Sequence, residues 1–152
     1  MANACPLSLC VGKHRVRACM AGFKKGGTMK AAEYELRGDI LVIHLKADLD
    51  HHTAVAVRES ADSLLARSHA KHILFDFTGV EFMDSSGIGV IMGRYRQVIF
   101  QGGRVGVMGV GSNVDRIFKV SGLYKIVEQY ESAEEAFTRP AKECFAGSND
   151  IK

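Results

Sequence analysis

A chain of 152 residues is long enough for one domain with a sizeable core, and 47% hydrophobic with 24% charged residues excludes wholesale disorder. The net charge of +3 hides an asymmetry: residues 1–28 hold five basic side chains and no acidic one, so residues 29–152 carry 15 basic against 17 acidic side chains. That mildly acidic remainder has no nucleic-acid footprint, and no apolar run approaches the roughly 20 residues that span a bilayer.

Residues 1–28 stand apart. They contain Cys5, Cys10 and Cys19, lack a periodic apolar pattern, and close on Gly26-Gly27. The charges follow the short apolar stretch instead of preceding it, the reverse of a signal peptide. Leu9 stands before Cys10 where a lipoprotein cleavage site wants a small residue. The cysteine spacing is not that of a zinc site. Lys24-Lys25-Gly26-Gly27 can be encoded by a purine-rich run that resembles a ribosome-binding sequence just ahead of Met29. The expectation is a disordered or spurious extension over 1–28, with translation starting at Met29, a folded domain over 29–140 and a flexible tail over 141–152.

From Met29 the pattern becomes regular. Glu33–Arg37 and Ile40–Lys46 flank Gly38-Asp39 and read as a hairpin. Asp50 is placed to cap a helix from His51 to about Arg67, with Ala54, Val57, Ala61, Leu64 and Leu65 on its apolar side. His72–Phe77 is a nearly continuous apolar run, as in a strand covered on both faces. Ser85 to Gln101 is the best helix: Ile88, Ile91, Met92, Tyr95, Val98 and Ile99 fall at the spacing of one buried stripe, and Gly102-Gly103 ends it. Arg104–Val110 reads as a strand, and Ser112–Asp115 as the capped start of a short helix closed by Gly122. Tyr124–Tyr130 reads as a final strand. Ser132-Ala-Glu-Glu135 is a capping box for a last helix ending before Pro140. Strands alternating with helices predict an α/β fold, a single domain with a central sheet and helices packed on it.

The chemistry concentrates in Phe82-Met83-Asp84-Ser85-Ser86-Gly87-Ile88-Gly89. Asp and Ser are ordinary helix caps, so a bare Asp-Ser-Ser more often marks a helix start than a site. Here the polar residues exceed what one cap needs, and Gly87, Gly89 and Gly93 leave the helix bare at about 1 kcal/mol each relative to alanine. That points to close approach by another backbone or a partner. A helix N-terminus also accommodates a phosphate, because its free N–H groups and dipole favour negative charge.

Enzyme readings fit less well. The serines lack the Gly-x-Ser-x-Gly frame of a nucleophile elbow, and no P-loop occurs. Gly106, Gly109 and Gly111 miss the dinucleotide spacing. His51 and His52 are adjacent, which points them about 100° apart on a helix, and no third metal ligand is evident. Asp76 near a strand end suggests a phospho-accepting domain, but the paired acids such a site needs are not at the end of the first strand.

Three blocks carry a family resemblance: Asp48-Leu-Asp-His-His-Thr-Ala54, Phe82-Met-Asp-Ser-Ser-Gly-Ile-Gly-Val-Ile-Met-Gly-Arg-Tyr95, and Ser121-Gly-Leu-Tyr-Lys-Ile126. From about Tyr34 to Phe137 the chain resembles the anti-sigma factor antagonists of the STAS family, the sporulation type above all. The Asp-Ser-Ser-Gly block is the specific one. Ala47 departs from the glycine usual in the family before the acidic turn, and residues 1–28 have no counterpart.

The resemblance implies a STAS-type single domain with a mixed sheet, acting as a cytoplasmic binding switch with no catalytic residue, metal or cofactor of its own. Ser85 would be phosphorylated by an ATP-dependent anti-sigma factor serine kinase. The unphosphorylated form would bind that kinase and free a sigma factor, and a PP2C-type serine phosphatase would restore it. By the same resemblance Asp48, Asp50, His51, Asp84, Ser85, Ser86, Gly87, Ile88 and Gly89 form the contact surface, with Met92 and Arg94 at its edge. A STAS scaffold in a stress-signalling complex is the alternative, a small phospho-accepting enzyme domain a weaker one. A transporter-attached STAS domain shares the fold, but no spanning segment accompanies it here.

Overall fold

The computed structural model describes residues 31–138 and the two-residue strand β1 (Val16–Arg17). The remaining expectations for 1–28 and 141–152 lie outside the described residues. β1 pairs antiparallel with β2 (Ala32–Arg37), so part of the N-terminal segment joins the sheet. β2 and β3 (Ile40–Leu45) form the expected hairpin, with Arg37 opposite Ile40 across Gly38-Asp39. Gly38 has φ +60°, a left-handed turn conformation that glycine adopts at no steric cost.

β3, β4 (His72–Asp76), β5 (Val105–Met108) and β6 (Glu128–Tyr130) then run parallel, and the sheet order follows the chain. The crossovers are α1 (His51–Arg67), α2 (Ser85–Ile99) and α3 (Ser112–Ser121). Each moves one strand in the same direction, so right-handed connections place all three on one face. That face holds the main core, where Leu41, Ile43, Ile73, Phe75, Val105 and Val107 alternate inward beneath Val57, Ile91 and Phe118. The other face carries a smaller cluster of Val42, Leu74, Met108, Tyr130 and Ala136, the last from α4 (Ala133–Thr138).

Three expectations are corrected. Tyr124–Tyr130 is not one strand: Gly122 takes φ +73° and leads into a 3-10 turn over Leu123–Lys125, leaving only Glu128–Tyr130 extended. Ser112 does not cap α3; Gly111 occupies that position without a side-chain bond. Asp115 instead accepts from the Tyr124 hydroxyl at 2.7 Å and pairs with Lys119, and burial together with Asp115 pushes the Tyr124 phenol up. The buried side of α2 consists of Gly87, Val90, Ile91, Arg94 and Val98, while Met92 is 39% exposed.

Candidate functional site

The carboxyl ends of β3 and β4 open into two loops, and a ladder of backbone and side-chain bonds ties them together. Leu49 and Met83 form an isolated parallel bridge. Leu49 N–H donates to the Phe82 carbonyl at 3.1 Å, and Asp84 N–H to the Leu49 carbonyl at 3.4 Å. Asp48 Oδ1 accepts from both Glu81 N–H at 2.9 Å and Phe82 N–H at 3.0 Å. Leu49 and Met83 are buried to 0% and 1% exposure, so the bridge is anchored in the core while the acids beside it face water.

Each loop ends in a capped helix. Asp50 Oδ1 accepts from Thr53 N–H at 2.8 Å at the start of α1, and this backbone bond holds the Asp50 carboxyl below its ordinary value. Asp84 Oδ1 accepts from Ser86 N–H at 2.7 Å at the start of α2. With Asp84 as cap, Ser85 is the first residue of α2. The two serines then differ. Ser86 is half-buried, and its Oγ lies 3.4 Å from His51 Nδ1. Ser85 is exposed, on the same side of α2 as the exposed Gly89 and Met92, four and seven residues on. Among the described residues the Ser85 hydroxyl has no hydrogen-bond partner. It is open to solvent at the N-terminus of α2, where the helix dipole favours negative charge.

The glycines divide the same way. A Cβ on Gly87 would stand 2.4 Å from Met83 Cγ and 2.8 Å from Leu49 Cδ2, so Gly87 is required by the packing of the two loops beneath the helix. Gly89 and Gly93 would meet nothing within 4 Å. They leave bare backbone toward solvent.

Asp48, Asp50, His51 and the segment Asp84–Gly89 are thus gathered at one end of the sheet. Arg94 is not part of that rim. It is 7% exposed and faces α1, where its guanidinium bonds Asp62 Oδ1 at 2.8 Å and the Arg58 carbonyl at 3.0 Å. Its place at the edge of a contact surface is corrected: the side chain locks α2 to α1. Asp76 is likewise engaged within the fold, with Oδ2 at 2.8 Å from His44 Nδ1 and Oδ1 accepting from Thr78 N–H at 2.9 Å. Phe82, 54% accessible beside the bridge, lies in the motif but not among the residues expected at the contact surface, because nothing local marks an apolar residue there as exposed. No group of three or more metal-ligating side chains occurs among the described residues. Nor is any described helix long and apolar enough to cross a membrane.

The STAS domain model matches residues 31–136. The chain belongs to the STAS family. It is 39% identical over 106 residues to the anti-sigma F factor antagonist of Paenibacillus polymyxa, covering 70% of this chain and 91% of that relative. Its fold matches the anti-sigma factor antagonist SpoIIAA in its unphosphorylated form with TM-score 0.64 and 30% identity, covering 70% of this chain and 93% of the other. The phosphorylated form of SpoIIAA, described as a Bacillus cell fate determinant, matches with TM-score 0.58 and 29% identity, covering 70% and 96%.

Proposed function

We propose that this STAS domain is an anti-sigma factor antagonist that acts as a phosphorylation-controlled binding switch. In its unphosphorylated form it binds an anti-sigma factor serine kinase and releases a sigma factor. The kinase, using ATP, modifies Ser85, which ends binding, and a PP2C-type serine phosphatase reverses the modification. The chain works in the cytoplasm and is a substrate and ligand, with no catalytic residue. Asp48, Asp50, His51, Asp84, Ser85, Ser86, Gly87, Ile88, Gly89 and Met92 make or support the contact surface.

The observation that carries this reading is the contrast between the serines. Ser85 is exposed at the first position of a capped helix, whereas Ser86 is turned toward α1 and His51. A kinase must close around the hydroxyl it modifies, and Ser85 is the more exposed of the two. The names of the P. polymyxa relative and of SpoIIAA, one of whose structures is of a phosphorylated form, supply the class of partner.

The test is incubation with the anti-sigma factor serine kinase of the same genome and labelled ATP. Wild type and Ser86→Ala are expected to take up label, and Ser85→Ala none. Label retained in Ser85→Ala and mapped to Ser86 would place the switch on the wrong hydroxyl.

A further inference from the structure

We propose that Phe82 is an aromatic anchor by which this chain docks on the kinase that modifies Ser85. The proposal rests on the antagonist reading above and adds a residue and a recognition chemistry to it. Phe75, Phe77 and Phe118 are completely buried, each at 0% exposure. Phe82 is 54% exposed and lies three residues before Ser85. The other exposed phenylalanine among the described residues, Phe100, sits at the opposite end of α2.

Phe82 is held outward by its own backbone. Its N–H is bound to Asp48 Oδ1 and its carbonyl accepts from Leu49 N–H, while Met83, the next residue, is buried in the bridge. In an extended segment successive side chains point to opposite sides, so burying Met83 turns Phe82 to solvent. A residue fixed at both backbone groups loses little further freedom on binding, and an aromatic ring has only two torsions to order. Such preorganised aromatics are the residues that dominate protein interfaces.

The surroundings define the occupant. On the Ser85 side of α2, Gly89 presents bare backbone and Met92 an exposed apolar side chain two turns along, a surface that admits close approach. Two exposed acids adjoin Phe82, Asp48 through its bond to the Phe82 N–H and Glu81 as the preceding residue. A matching kinase surface has an apolar pocket for the ring with basic residues at its rim, placed beside the catalytic cleft that receives Ser85.

Calorimetric titration with the purified anti-sigma factor serine kinase of the same genome, held with ADP so that no phosphoryl transfer occurs, tests this. Phe82→Ala and Phe82→Glu are each expected to weaken binding by about 10- to 100-fold, with melting curves matching wild type because the ring is over half exposed. Phe82→Tyr, which keeps the ring, is expected to stay within about threefold of wild type. Either Ala or Glu variant that folds suffices for the test. Wild-type affinity in a folded Ala or Glu variant overturns the anchor and leaves the antagonist reading standing. Failure of the wild-type chain itself to bind the kinase overturns the antagonist reading.

Discussion

Asp48 lies 33 and 34 residues from the two N–H groups that its carboxylate binds, and it stands in the loop where the sequence suggested a partner contact. The geometry gives it a second role, fixing the segment that presents Phe82 and leads into Ser85. The two roles make different demands on charge. A hydrogen-bond acceptor is enough to hold the loop, whereas a salt bridge to the partner needs the carboxylate. Loss of both bonds costs about 2 kcal/mol at about 1 kcal/mol each, or roughly 30-fold in an affinity that depends on the ordered loop. Asp48→Ala is therefore expected to weaken kinase binding by about that factor, and Asp48→Asn, which retains Oδ1, to restore most of it. An Asn variant as weak as the Ala variant would show that the partner reads the charge. Arg94 is a residue whose setting depends on a distant partner. An arginine on the strongest helix looks like surface, yet Asp62 on α1 supplies the charge that lets it be buried, and that pairing crosses two elements.

At the scale of elements, α2 carries both Ser85, the proposed switch, and the seam with the loops beneath it. Gly87 and Gly89 separate those roles experimentally. Gly87→Ala forces a methyl group into Met83 and Leu49. Overpacking of this kind costs about 1–3 kcal/mol, against about 1 kcal/mol gained from helix propensity, so the melting temperature is expected to fall. Gly89→Ala meets open space and is expected to stabilise by up to about 1 kcal/mol, raising the melting temperature, while impairing partner binding. Thermal denaturation of the two variants checks the contrast, and a destabilised Gly89→Ala would contradict it. The alternation of strands and helices, the hairpin turn, the Asp50 cap and the helix start at Asp-Ser-Ser were legible in the sequence because each is a local pattern. The segment after Gly122 was not, since Tyr-Lys-Ile-Val favours extended backbone and only the left-handed glycine and its turn bonds curl it. Periodicity also placed Met92 in the buried stripe; the core takes the adjacent Val90 and Ile91 instead and leaves Met92 39% exposed. The bridge between Leu49 and Met83, which makes two distant motifs one site, has no local signature at all.

At the scale of the whole molecule, the switch requires a phosphate to change binding without changing the fold. A phosphoserine adds about −1.5 to −2 charge and three acceptor oxygens. At the N-terminus of α2 that charge meets a favourable dipole, an exposed effect of about 0.3–1 kcal/mol, partly offset by repulsion from Asp84. The sheet and the Arg94–Asp62 lock lie beneath and behind this turn and gain no new charge partner. A docked partner, by contrast, would have to bury the dianion against a surface shaped for a neutral hydroxyl, a mismatch of several kcal/mol. The decisive measurement is the affinity of the chain for the anti-sigma factor serine kinase before and after stoichiometric phosphorylation of Ser85, by calorimetry with ADP present. The unmodified chain is expected to bind and the phosphorylated chain to bind at least about 100-fold more weakly; equal affinities for the two forms would contradict the switch.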